Sequence, residues 1–173
     1  SGGHRGDPGR PLAVGQQLVT GPRGKAALSL ARGVTLRLDG NTRIALAGID
    51  RVVVERGAVY LDAGDQPATG PSVRIDTAFG STRHLGTQYE VRVLPAEMQV
   101  SVREGRVETA PDIGRTPVVA LAGEQLVIGT SGTVARAAQD TSTLAPSAQD
   151  RPAGSASAEP TLARAVEPAA VPT

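Results

Sequence analysis

Between Gly86 and Thr109 the chain reads GTQYEVRV, then LPAE, then MQVSVREGRVET. Tyr89, Val91 and Val93 alternate with Glu90, Arg92 and Leu94, and Met98, Val100 and Val102 alternate with Gln99, Ser101 and Arg103. Apolar residues at period two mark strands with one face buried, and a break as short as LPAE joins two such strands as an antiparallel hairpin. Gly105 interrupts the second run before Val107, the usual place for a bulge or a close backbone approach. The phrase recurs: VVVERGAVYLD, Val52 to Asp62, lies over VSVREGRVETA, with Val52, Val54, Gly57 and Val59 falling on Val100, Val102, Gly105 and Val107. Upstream, NTRIALA takes the place of TQYEVRV with a small slip. A hairpin returning at a spacing of roughly 50 residues suggests a unit that buries its apolar face by stacking on its copy.

The core of such a chain must be aliphatic. Of 173 residues 39% are hydrophobic but only 2% aromatic, namely Tyr60, Phe79 and Tyr89. Thin, repetitive β architectures pack well on Val, Leu, Ile and Ala, whereas a deep pocket lined with rings is disfavoured. The net charge of +1 favours neither nucleic acid nor an anionic membrane surface, and single-stranded nucleic acid would need stacking platforms that the strands lack. Without cysteine there are neither disulfides nor thiolate metal sites. No apolar run approaches the roughly 20 residues that span a bilayer.

Taken in order, residues 1–11 are Gly, Pro and charge and read as a disordered lead, with Ser1-Gly2-Gly3-His4 resembling a cloning remnant or the cut end of a longer protein. Strands are expected from Leu12 to Val19, over Lys25 to Gly33, and at Val34, Leu36 and Leu38 before the Asp39-Gly40-Asn41 turn. Further strands are expected at Thr42–Ala47, Arg51–Glu55, Ala58–Asp62 and around Val73, with STRHLG leading into the central hairpin. Short strands follow at Pro117–Leu121, Gln125–Ile128 and Thr133–Ala135. From residue 139 to 173 the composition turns to Ala, Pro, Ser and Thr, too little apolar surface to offset the entropy of ordering, and reads as a disordered tail or linker. The expected domain is therefore residues 12–138. It is all-β, with roughly ten or more short strands in stacked antiparallel hairpins, solenoid-like or an elongated β-sandwich, and no substantial helix.

Catalytic chemistry is hard to find. His84, in STRHL, could fall on a strand's polar edge and reads as structural or superficial, because a metal site would need further ligands near it. The carboxylates alternate with arginines, as Glu90 with Arg92 and Glu104 with Arg103, and charge pairing on the strands accounts for them. Lys25 follows GPRG without the spacing of a phosphate loop, and no nucleophile elbow occurs. The reading is of a protein that is not an enzyme and carries no cofactor and no metal.

The order IDTAFGSTRHLGT, GTQYEVRV, VSVREGRV and LAGEQL, preceded by GVTLRLDGNTRIAL and VVVERGAVYLD, resembles the FecR domain over about Val14 to Gly132. That resemblance implies the periplasmic part of a single-pass inner-membrane regulator in a Gram-negative envelope. Its signal would come from the signalling domain of a TonB-dependent receptor, often one for a ferric siderophore. Its output would be control of an extracytoplasmic-function sigma factor, contacted as an anti-sigma or activating partner by a cytoplasmic segment that these residues do not include. The motif positions implied are Gly57, Gly86, Thr87, Tyr89, Gly105, Gly123 and Glu124, whose bland role is to serve bulges and turns. A partner would then be received at an exposed sheet edge. The alternative is a non-catalytic carbohydrate- or lipid-binding envelope module, which would want exposed aromatics or an apolar channel.

Overall fold

Val52 and Val54 are fully buried at even positions, and Val59 and Leu61 are buried at odd ones; the inward phase slips by one residue at Gly57. The same slip separates Val100 and Val102 from Val107 at Gly105. In the computed structural model, which describes residues 12–30, 33–64, 72–84, 88–113 and 116–138, these two glycines are corners. Each has a positive φ, +92° at Gly57 and +77° at Gly105, and each is where the chain leaves one sheet for another.

The first corner lies inside a single strand, β5 (Arg51–Asp62). Its first half pairs antiparallel with β4 (Arg43–Gly48) and parallel with β6 (Arg74–Thr77). Its second half pairs with β3 (Thr35–Leu38) and β8 (Gln88–Val93), both antiparallel. Alternation alone predicts two strands here, Arg51–Glu55 and Ala58–Asp62; the ladder runs on through the glycine, which absorbs the odd residue as a bulge does. The second corner joins β9 (Glu97–Glu104) to β10 (Arg106–Pro111).

Sheet A thus runs β1 (Gln17–Val19), β4, β5, β6, β7 (Gly80–His84), β10, β11 (Val118–Leu121). Sheet B runs β2 (Ala26–Ser29), β3, β5, β8, β9, β12 (Glu124–Gly129), β13 (Val134–Ala138). Because β5 belongs to both, one sheet curls over on itself into a sandwich. The fold is all-β. The β5–β6 pair is parallel because β5 ends in sheet B while β6 begins again beside the sheet A half of β5. STRH, expected from sequence as a lead-in, is itself strand β7.

One aliphatic core fills the interior, with Ile44, Val54 and Ile75 from sheet A against Leu61, Val91, Val100 and Leu126 from sheet B. Each such side chain contributes about 1.5–3 kcal/mol by leaving water. The recurring phrase is therefore a corner strand, and its two copies line the core from both sheets.

Candidate interaction surface

The corners are tightly built, and three of the motif residues, Gly57, Gly105 and Gly123, serve them. At Gly57 the neighbouring strand bends past so closely that an added Cβ would lie 2.5 Å from the Thr42 α-carbon. The buried Thr42 hydroxyl bridges the bend, donating to the Ala58 carbonyl and accepting from the Ala58 N–H, both at 3.1 Å. At Gly105 the carbonyl accepts from Ala122 N–H at 3.0 Å, and the Gly123 N–H donates to the Val102 carbonyl at 2.9 Å. The β11–β12 turn, with φ +83° at Gly123, is therefore pinned to the β9–β10 corner through Ala122 and Gly123. Sequence spacing alone could not show that this turn meets this corner.

Glu124, the next residue, seals an edge. Its Oε2 accepts from the Leu121 N–H at 2.8 Å, while its Oε1 takes Arg136 Nη1 at 2.9 Å. Arg136 Nη2 in turn donates to the Val119 carbonyl at 2.8 Å. Val119 and Leu121 stand on the free side of β11, so two side chains from β12 and β13 occupy backbone groups that a partner strand would otherwise pair. The backbone bond from Leu121, with the Arg136 contacts, holds the Glu124 carboxyl below the ordinary glutamate range.

Tyr89 belongs to the core rather than to any surface. It is fully buried, and its hydroxyl meets Thr82 Oγ1 at 3.2 Å across the sandwich. Burial drives its ionisation far above the usual range for tyrosine, against which the Thr82 contact acts weakly. His84 is likewise inside, 6% exposed, so the expectation of a polar edge is corrected: residue 83, not 84, is the outward one on β7. Its Nε2 accepts from the Val73 N–H at 3.0 Å, which places the ring proton on Nδ1, and that buried nitrogen has no partner among the described residues. Burial pushes the His84 pKa down and keeps the ring neutral. Gly86 and Thr87 lie outside the described residues.

Among the described residues no group of three His, Asp or Glu side chains could hold a metal ion, and no helix is long and apolar enough to cross a membrane. What the domain presents is two outer sheet faces. On sheet B several side chains pair internally: Tyr60 Oη donates to Gln88 Oε1 at 2.9 Å, Gln125 Nε2 to Ser101 Oγ at 3.1 Å, and Arg92 meets Glu90 at 2.8 Å along one strand, while Arg37 stands exposed beside Tyr60 in register. Sheet A instead carries Asp76 between Arg51 and Arg74, with Nε–Oδ distances of 2.5 and 2.6 Å. Burial opposes ionisation of Asp76, but the Arg74 and Arg51 hydrogen bonds together hold its carboxyl below the usual range.

The FecR protein family model matches residues 16–108, more than half of the chain, including both corner glycines. Two crystal structures of a candidate anti-sigma factor from Parabacteroides distasonis ATCC 8503, at 2.50 and 1.65 Å resolution, share the fold. Each superposes with a TM-score of 0.60 at 21% identity, over 72% of this chain and 60% of the solved one. This chain thus spans about 60% of the length of those relatives. No functionally curated protein sequence matches it.

Proposed function

This chain belongs to the FecR family, and on that footing we propose that it is the periplasmic, signal-receiving part of an inner-membrane regulator of an extracytoplasmic-function sigma factor. It receives its signal by protein contact, from the signalling domain of a TonB-dependent receptor or another envelope protein, as in iron-uptake regulation. The sigma factor itself is reached through a cytoplasmic segment of the whole regulator. The observation that carries this reading is the family match over residues 16–108, which takes in both sheet-switching glycines. The name of the solved neighbours, candidate anti-sigma factors, supports the sigma-regulator half of it. Exposed arginines such as Arg51 and Arg83 support the other half, since Arg is enriched at protein interfaces.

The test is capture from Gram-negative envelope extract with the 173-residue chain as bait, followed by mass spectrometry and by calorimetry with the purified candidate. Enrichment and direct binding of a receptor signalling domain is the expected result. A bait that circular dichroism shows to be folded, yet that binds no receptor signalling domain by calorimetry, overturns the receptor assignment.

A further inference from the structure

Arg51, Arg74 and Arg83 stand directly opposite one another on β5, β6 and β7, so three guanidinium-bearing residues form one row across the outer face of sheet A. We propose that this row is a docking surface for an acidic segment of a protein partner, its carboxylates presented one helical turn apart. The inference rests on reading the chain as a protein-binding module, and not on sigma-factor regulation.

Like charges placed opposite across strands are destabilising, so such a row works against the fold that holds it. Inward packing does not demand it: Val52, Ile75 and Thr82 hold the inner positions, and Arg51 and Arg83 are exposed. One carboxylate beside the row, two residues along β6, is engaged. Asp76 takes the Nε of both Arg51 and Arg74, which fixes the two side chains while leaving their Nη ends without a partner among the described residues. Arg83, beside Glu108 in register, makes no ion pair among them. A guanidinium fixed through Nε and open at Nη is arranged in advance for a carboxylate.

Spacing and surroundings point to the kind of partner. Adjacent strands put successive arginines about 4.8 Å apart, close to the roughly 5–6 Å between side chains one turn apart on a helix. The row continues through Glu108 to Val119, 40% exposed, and Leu121 lies beyond Arg106 in the next row at 52%. At the other end Ile49, in the turn before Arg51, is 73% exposed. Apolar residues at both ends with arginines between them suit a protein surface. An anionic membrane would be repelled by Asp76 and Glu108 and would find no aromatic anchor, since Tyr89 is in the core and Tyr60 is on sheet B.

The test uses the 15N-labelled 173-residue chain and a synthetic helix bearing Glu at i, i+4 and i+7, titrated at low salt. Amide shifts should concentrate on residues 51–53, 74–77, 81–84 and 106–110, and binding should weaken as salt rises. R83E should weaken binding about fivefold, given the size of exposed charge pairs and the added repulsion, and R83Q by less. Arg37→Glu, on the outer face of sheet B, should leave it unchanged. Both sites are exposed, and circular dichroism verifies that each variant folds. Shifts on sheet B, equal loss from R83E and R37E, no binding, or binding to phosphatidylglycerol vesicles in place of the peptide would each overturn the proposal. Peptide binding through the row by a chain that captures no envelope receptor would leave this inference standing and sink the receptor assignment alone.

Discussion

Replacing Gly57 with alanine should be far more damaging than its methyl group suggests. The backbone there has φ +92°, where an L-residue costs about 1–3 kcal/mol. The new Cβ would also fall against the Thr42 hydroxyl, 2.5 Å from the Thr42 α-carbon and 2.8 Å from its β-carbon. A side-chain rotation relieves the clash with the hydroxyl but not the one with the α-carbon, which moves only if the strand moves. Overpacking of this kind costs about 1–3 kcal/mol. Any shift of Thr42 also disturbs two buried hydrogen bonds to Ala58, each contributing about 1 kcal/mol. The two steric terms come to about 2–6 kcal/mol, and to about 4–8 kcal/mol if both bonds are lost, against the roughly 5–15 kcal/mol that ordinarily separates folded from unfolded chains. Gly123→Ala is the control: φ is +83°, yet nothing lies within 4 Å of the added Cβ, so only the conformational part remains. Urea unfolding followed by far-ultraviolet circular dichroism should place the G57A midpoint well below that of G123A, with similar slopes. Thr42→Ala added to G57A should not restore stability, because the clash with the backbone of residue 42 stays. Equal midpoints for G57A and G123A, or rescue by Thr42→Ala, would refute the close-approach argument.

Three further outcomes follow from particular contacts. Tyr89→Phe leaves Thr82 Oγ1 without its partner inside the sandwich and should cost about 1–2 kcal/mol; the double variant with Thr82→Val should recover part of that loss, as a double-mutant cycle would read. His84 has a folded-state pKa below the ordinary value of 6.5, so its contribution is present above pH 6.5 and lost as pH falls through the lowered value. Chemical denaturation between pH 7 and 5 should therefore show falling stability, and His84→Gln should flatten that fall even though it weakens the bond from Val73. Glu124→Ala frees the Leu121 N–H and loosens Arg136 from Val119, so sedimentation velocity should show concentration-dependent self-association through β11 that the parent chain lacks.

Period-two alternation, with glycine and aspartate-glycine-asparagine turns, was enough to give an all-β chain with an aliphatic core, because burying one face of a strand is a local demand on every second residue. The repeated phrase was legible for the same reason: a phase slip at Gly57 and Gly105 shows in the spacing of Val52, Val54 and Val59 and of Val100, Val102 and Val107. What a slip does is not local. That the ladder continues through Gly57 as one strand serving both sheets depends on β3, β4, β6 and β8 arriving from either side. Likewise STRH became a strand only because β6 and β10 flank it, and that pairing carried His84 inward. The arginine row was the least visible feature. Arg51, Arg74 and Arg83 lie far apart in a chain of net charge +1, and only one parallel and one antiparallel pairing set them side by side. Alternation decided that each would face water, and the registers between strands, which no single strand encodes, decided that they would face it together.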